Sequence, residues 1–321
     1  MDYLVMRLYA PISSWGTLAV GEDRPTANYP TRSAVLGLLG AALGIKRSEA
    51  QKLRDLASSI GIASKTYSEG TILRDYHTIQ TPTTSKGVNF FTRKQELQSA
   101  KVETILSSRD YREDGLWVVA IWLKPDAQGS KLEHNVDSQV DLQQLQYALK
   151  HPKFTLYLGR KSCPLSLPLS PHIITANHLK AALDVSINEL LAESSKDKSV
   201  KNVNELSDRS NRVAQWQTNE LIDTMVSDRY LPTTIEYTAI NEQNTRLRQV
   251  TYHWEGEIES MFESASPVNV FTHNHWDDPT DRKQWQFTQR IGHQWTAYES
   301  IDNTKEAKET MSNTPDKEAV L

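Results

Sequence analysis

Residues 29–45 read YPTRSAVLGLLGAALGI, an apolar, glycine-studded run introduced by a single arginine in a polar chain. Three readings compete: a membrane anchor, a buried helix, and a helix end that holds an anion. Length removes the first. Ala34 to Ile45 supplies 12 apolar or glycine residues, whereas a spanning helix needs about 20. Pro30 cannot sit mid-helix and Thr31 is a favoured N-cap, so the spacing predicts a helix over Arg32 to Leu43 with Gly44 as its C-cap. Val35, Leu36, Leu39 and Leu43 form its apolar face. Gly37, Gly40 and Gly44 share one stripe, and each interior glycine costs about 1 kcal/mol relative to alanine. That pattern predicts something packed close to the backbone.

Outward from this helix, residues 3–10 (YLVMRLYA) read as a strand with Leu4, Met6 and Leu8 on one face. Ser48 to Gln51 has the form of a capping box opening a second helix. Residues 62–67 and 71–79 read as a hairpin around Ser68-Glu69-Gly70. Residues 80–112 are polar and basic, and read as a long excursion from the core carrying Lys86, Arg93, Lys94, Lys101, Arg109, Arg112 and the pair Phe90-Phe91. LWVVAIWL (116–123) is a buried strand, 138–149 a helix, and Phe154–Leu158 a strand. The order strand, helix, hairpin, strand, helix, strand predicts an α+β sheet of the ferredoxin-like kind. Residues 184–230 read as an inserted, partly helical or disordered segment. Strand character returns over 231–295, and a charged tail from about Glu299 is expected to be disordered.

The chain has 321 residues, one cysteine (Cys163) and a formal net charge of −4. A cytosolic protein without an internal disulfide, signal peptide or membrane span is expected. Charge is uneven: residues 1–165 carry 21 Lys+Arg against 16 Asp+Glu, and residues 166–321 carry 15 against 24. A basic N-terminal half suits local binding of a polyanion, or is a solvated surface.

The helix start Thr31-Arg32-Ser33 offers backbone N–H groups, a hydroxyl and a guanidinium to an anion; its plainer reading is an ordinary capped helix. LRDYHT (73–78) places Arg74 and Tyr76 on one strand face and Asp75 and His77 on the other. Arginine with tyrosine suits single-stranded RNA, and an edge strand with a polar face is the plainer reading. Arg160 and Lys161 end a strand beside Gly159 and can hold phosphates. Cys163 reads as a small buried hydrophobe. His273 and His275 stand at i, i+2 without a third ligand at metal-binding spacing. No phosphate-loop, dinucleotide or nucleophile-elbow motif is present.

Six stretches, in order, carry a resemblance: MRLYAPISSWG (6–16), RPTANYPTRSAVLGLLGAALGI (24–45), LRDYHT (73–78), ETI (103–105), VVAIWL (118–123) and YLGRKSCPLSLPL (157–169), with a weaker echo in RKQWQFTQR (282–290). They resemble the CasD family of type I-E CRISPR Cascade subunits, within the RAMP superfamily. The match covers residues 1–170 well and the rest poorly. The resemblance implies an RRM-like domain over 1–165 whose thumb hairpin lies at about 80–112, and a C-terminal β region over 166–298. The segment of about 184–230 is inserted in that region, and a disordered tail follows over 299–321. It implies a helix packed closely on the sheet, with its N-terminus facing RNA.

It also implies a non-catalytic role without cofactor or metal: capping the 5′ handle of CRISPR RNA, touching the backbone subunit CasC and the large subunit CasA, and meeting target DNA only indirectly. RNA-binding roles then fall on Arg32, Ser33, Arg74, Tyr76, His77, Arg160 and Lys161, with Trp15, Arg93, Lys94 and Arg109 as further candidates. The alternative is a metal-independent endoribonuclease of CRISPR repeats. It needs a base, an acid and a phosphate-binding cation, which His77, Tyr76 and Lys161 would supply.

Overall fold

The structure is a computed structural model that describes residues 1–17, 19, 21–83, 89–98, 101–124, 140–184, 239–240, 246–263, 269–281 and 286–300. Lys86, the expected insertion from residue 185 onward and the expected tail from residue 301 onward lie outside the described residues. Of the expected strand over TTIEYTAI, only Ala239–Ile240 is described.

The opening helix forms as its sequence dictates. It is α1, Arg32–Leu43, with Thr31 extended at its N-cap and Gly44 left-handed (φ 77°) at its C-cap. Its glycines do something other than meet the sheet. A Cβ on Gly40 would lie 3.3 Å from Leu53, one on Gly44 would lie 2.6 Å from the Lys153 stem, and one on Gly37 would meet nothing within 4 Å. The stripe makes room for a neighbouring helix and a lysine stem, while Val35, Leu36, Leu39 and Ala42 join the core. α2 follows as Ala50–Ser59. The expected Ser48 capping box is not made. Glu49 is the N-cap, and its carboxylate accepts from the Lys46 N–H at 2.7 Å.

Mixed α+β architecture follows, with mainly antiparallel pairing. The large sheet contains β1 (Asp2–Tyr9), β4 (Ile60–Ser68), β7 (Leu116–Leu123), β8 (His172–Thr175), β10 (Arg246–Glu255), β11 (Phe271–Asp281) and β12 (Gln286–Ser300). Their order is β11-β12-β10-β4-β7-β1-β8, and β9 (Ala239–Ile240) pairs with β10. Alternation along β1 sends Leu4, Met6 and Leu8 to a core shared with α1, α2 and α4 (Leu142–Lys150). Tyr3 and Val5 face a second core with Tyr252, Trp254 and α5 (Leu179–Asp184). β7 is apolar throughout because both its faces are buried. Among the described residues no helix is long and apolar enough to cross a membrane.

A smaller sheet is built on β6 (Val102–Glu113), with β5 (Thr71–Pro82), β2 (Ile12–Ser13) and β3 (Asp23–Arg24) around it; β3 runs parallel to β6. The expected hairpin of residues 62–67 with 71–79 is therefore corrected. Both strands exist, but β4 pairs with β7 and β10, and β5 pairs with β6. Gly70 turns the chain from one sheet into the other with φ 67°, where a Cβ would lie 2.0 Å from the Glu113 carbonyl oxygen. The described part of the basic excursion belongs to an antiparallel arm: β5, the short helix α3 (Arg93–Leu97), then β6. Residues 154–158 form no strand. Leu156 and Leu158 are buried in the core, and Tyr157 makes a single bridge to Pro164.

A buried polar cluster ties the second core together. Lys65, 1% exposed, donates to Asp184 at 2.8 Å and Glu299 at 2.6 Å, and the Tyr252 hydroxyl donates to the same two carboxylates. Burial works against the Lys65 charge, but Tyr67, Asp184 and Glu299 outweigh it and hold its pKa above the ordinary lysine value. Glu299, expected in a disordered tail, is thus part of β12 and fixed by an ion pair.

Candidate nucleic-acid interface

Antiparallel partners share a face of their ladder, and successive residues alternate. Arg74 lies opposite Asp110 and Tyr76 opposite Ser108, so these define one face of the β5–β6 arm. Asp75 lies opposite Arg109 and His77 opposite Ser107 on the other face, which Arg24 joins through its pairing with Arg109. On the first face Arg74 grips Asp110 at 2.8 Å. Its hydrogen bond is the main cause holding the Asp110 pKa below the ordinary carboxylate value, against desolvation, with Arg160 and Arg112 assisting. On the second face His77 Nε2 lies against the Asp75 carboxylate.

The turn after Tyr157 completes the second face. Leu158 N–H donates to the Cys163 carbonyl at 2.8 Å, Cys163 N–H to the Arg160 carbonyl at 2.9 Å, and Ser14 N–H to the Leu158 carbonyl at 3.0 Å. Gly159 is left-handed (φ 88°), and a Cβ there would lie 1.8 Å from the Ser14 carbonyl oxygen. Only glycine lets this turn seat on the smaller sheet. Once seated, the Arg160 guanidinium lies 5.0 Å from the centre of the Tyr111 ring and donates to the Arg24 carbonyl at 3.0 Å. Cys163 is fully buried behind it, and burial pushes its thiol pKa up.

The result is an open depression of about 550 Å³ lined by Arg24, Arg109, Tyr111, Tyr157, Gly159, Arg160, Lys161 and Ser162. Four cations surround two tyrosines, and none of the four is ion-paired among the described residues. Such a site suits a phosphate backbone with a base against an aromatic face. Arg109, Arg160 and Lys161, all expected to bind RNA, are brought together here. Arg24, Tyr111 and Tyr157 carry no expectation from sequence. Arg24 stands within one of the resembling stretches, but its strand β3 is only two residues long and gives no periodic signal.

The other expected RNA-binding residues are placed elsewhere. Arg74 and Tyr76 lie on the opposite face of the arm, Tyr76 being 66% exposed. Arg93 is held within the arm by Glu96 and the Gln80 carbonyl, and Lys94 is exposed on α3. Ser33 is half-buried, its hydroxyl 3.4 Å from that of Thr31. Two expectations are corrected. Trp15 is a core residue, 1% exposed and edge-on to Trp117 at 5.1 Å. Arg32 is no surface cation: it is buried, paired with Glu255, and donates to the Ala57 carbonyl. As the first helical residue it points back along α1 and meets the end of β10.

That ion pair edges a second cavity, of about 340 Å³, whose lining includes Tyr29, Glu255, Arg290 and the histidines 253, 273, 275 and 293. His253 is buried and stacked on Tyr29 at 3.7 Å. The His273 and His275 rings lie 6.3 Å apart, and among the described residues no group of three or more His, Cys, Asp or Glu is placed to hold a metal ion.

Comparison with known proteins agrees with the motifs. The family described as CRISPR-associated protein (Cas_Cas5) matches residues 3–241. The CRISPR system Cascade subunit CasD of Escherichia coli (strain K12) is 35% identical over 177 residues, covering 52% of this chain and 69% of that protein. A chain of a solved CRISPR RNA-guided surveillance complex shares the fold, with TM-score 0.51 at 19% identity, covering 93% of this chain and 91% of its own. From residue 3 to residue 241 the match spans well over half of the sequence, and the chain belongs to the CRISPR-associated Cas5 family, as its resemblance to the CasD subunits of type I-E Cascade implied.

Proposed function

We propose that this chain is the non-catalytic subunit of a type I-E CRISPR RNA-guided surveillance complex that grips the 5′ handle of the CRISPR RNA, in the cytoplasm, as part of antiviral defence. The observation that carries the reading is the depression at the root of the arm, where Arg24, Arg109, Arg160 and Lys161 surround Tyr111 and Tyr157 and none of the four is ion-paired among the described residues. The relative in Escherichia coli is a Cascade subunit. The β5–β6 arm corresponds to the expected thumb. β1, α1, β4, β7, α4 and β8, with the strands ordered β4-β7-β1-β8, support a ferredoxin-like, RRM-like core that runs past the expected boundary at residue 165 to β8 at His172–Thr175. The exposed arm residues Ile72, Phe91, Ile105 and Leu106 suit contact with the backbone subunit CasC and the large subunit CasA, and the chain meets target DNA only through the assembled complex.

The endoribonuclease alternative is weakened by the arm's geometry. Tyr76 and His77 are successive residues of one strand and point to opposite faces, so they cannot flank one ribose as acid and base. The test is the cognate repeat RNA, labelled at its 5′ end, mixed with the full chain in EDTA and run on native and denaturing gels. A shift with intact RNA is expected, and it should weaken in Arg160→Glu/Lys161→Glu. Discrete cleavage that disappears in His77→Ala would replace this reading with the nuclease.

A further inference from the structure

Between Leu142 and Leu183 the sequence contains no aspartate or glutamate, although Asp and Glu number 40 of the 321 residues. This acid-free segment runs along α4, around the turn that carries Arg160 and Lys161, and on to α5. Its first part is not explained by the core. Leu145, Ala148 and Leu149 face inward, while Tyr147 is 66% exposed and Phe154 is 43% exposed. Tyr147 and His151 stand one helical turn apart with ring centroids 4.5 Å apart. Lys150, His151 and Lys153 are exposed beside them, and no ion pair engages either lysine among the described residues. Exposed aromatics interleaved with unpaired cations form a stacking surface for single-stranded nucleic acid, and exposed aromatic groups of this kind mark interaction sites.

The surface leads along the chain toward the depression. Phe154 precedes Tyr157, which lines the depression, by three residues, so at most about 10 Å of chain separates them. His151 to Thr155 are all exposed along the way. Lys153 is fixed rather than free to wander, since its stem packs on Gly44 and its backbone N–H donates to the Ala42 carbonyl at 3.0 Å.

We infer that the RNA interface extends beyond the depression: the strand held by Arg160 and Lys161 continues along residues 147–154, stacking on Tyr147 and Phe154 with its phosphates near Lys150 and Lys153. This rests on the reading of the depression as an RNA site. Charge and closeness along the chain favour one strand running through both surfaces over an acidic protein segment on the second.

Variants of the full chain separate the two claims: Arg160→Glu/Lys161→Glu in the depression, Tyr147→Ala/Phe154→Ala and Lys150→Glu/Lys153→Glu on the ribbon, and Tyr147→Phe as the conservative control. Each is checked for an unchanged thermal melt, then titrated with repeat RNA by fluorescence anisotropy across a salt series. The aromatic double variant should bind about 10-fold more weakly or worse, and Tyr147→Phe should bind as wild type. Lys150→Glu/Lys153→Glu should flatten the slope of log affinity against log salt by roughly 0.7 for each phosphate that the lysines cease to neutralise. If the depression variant loses binding while both ribbon double variants match wild type in affinity and slope, the extension is wrong and the depression stands. If neither set changes binding, or wild type binds no RNA, the RNA reading of the depression fails and the extension with it. If ribbon variants bind RNA normally but fail to enter the assembled complex, the ribbon faces a protein and the inference is overturned.

Discussion

At Gly159 the left-handed backbone and the Ser14 carbonyl, 1.8 Å from any added Cβ, leave no room for a side chain. Gly159→Ala must therefore move either the turn or β2. A residue forced into an incompatible conformation costs more than about 1 kcal/mol, and here a backbone clash adds to it. The expected outcome is a lowered melting temperature together with weakened RNA binding, because Arg160 and Lys161 lose their seat; thermal melts and anisotropy on the same preparation check it. Arg32 and Glu255 behave differently. Their side chains are each 5% exposed, and removing one partner from a buried pair costs about 3–5 kcal/mol, whereas an apolar pair of similar volume is often tolerated. Arg32→Met/Glu255→Leu should be more stable than either Arg32→Ala or Glu255→Ala in urea melts. If the double variant is as unstable as the worse single variant, the pair contributes more than charge neutralisation. Arg32→Lys, if folded, should bind RNA as wild type, since the arginine is internal.

Elements carry the next level of control. β10 lies between β4 and β12, and its His253 is sealed beneath Tyr29. Burial, reinforced by His275 and His273 and opposed by Gln294, pushes the His253 pKa down to about 3. The unfolded chain has the ordinary histidine value of roughly 6.5. Unfolded His253 therefore takes up a proton first as pH falls. Its contribution to stability is complete above about 6.5 and is lost progressively toward 3. His253→Phe keeps the ring against Tyr29 and removes the titration. Urea melts between pH 7 and pH 4 should show a flatter decline for this variant; an unchanged slope would mean that other groups dominate acid unfolding.

Elements are also where sequence reading succeeds and then stops. α1, β1 and β7 follow from local signals: the proline and glycine boundaries of α1, the alternation of β1 and the apolar run of β7. The pairing of β5 with β6 instead of β4 is decided by contacts on the order of thirty residues away, to which local periodicity is blind. In the candidate site, Arg109 is legible as a cation of the basic excursion, and Arg160 and Lys161 as a pair of cations beside a glycine. Arg24 and Tyr111 are not, because what recruits them is the seating of one loop on another sheet. Arg32 misleads for a related reason. A helix-start arginine looks the same in sequence whether it faces solvent or a glutamate more than two hundred residues later.

For the whole molecule, the small net charge of −4 conceals a site governed by local cations, so ionic strength should matter more to binding than overall charge suggests. Raising salt should weaken RNA binding steeply, and Arg109→Ala should both weaken it and reduce the slope, as an anisotropy salt series would show. The Lys65 cluster has a separate consequence. Asp184 is the last described residue before 185, Glu299 lies next to the last before 301, and both reach one ammonium group. Arg248, two residues after the chain re-enters β10 at Arg246, is the cross-strand neighbour of Glu299. One ammonium group therefore fastens the end of α5 to the end of β12. Lys65 is thus a rivet between elements remote in sequence, which share one fastening and let go of it together.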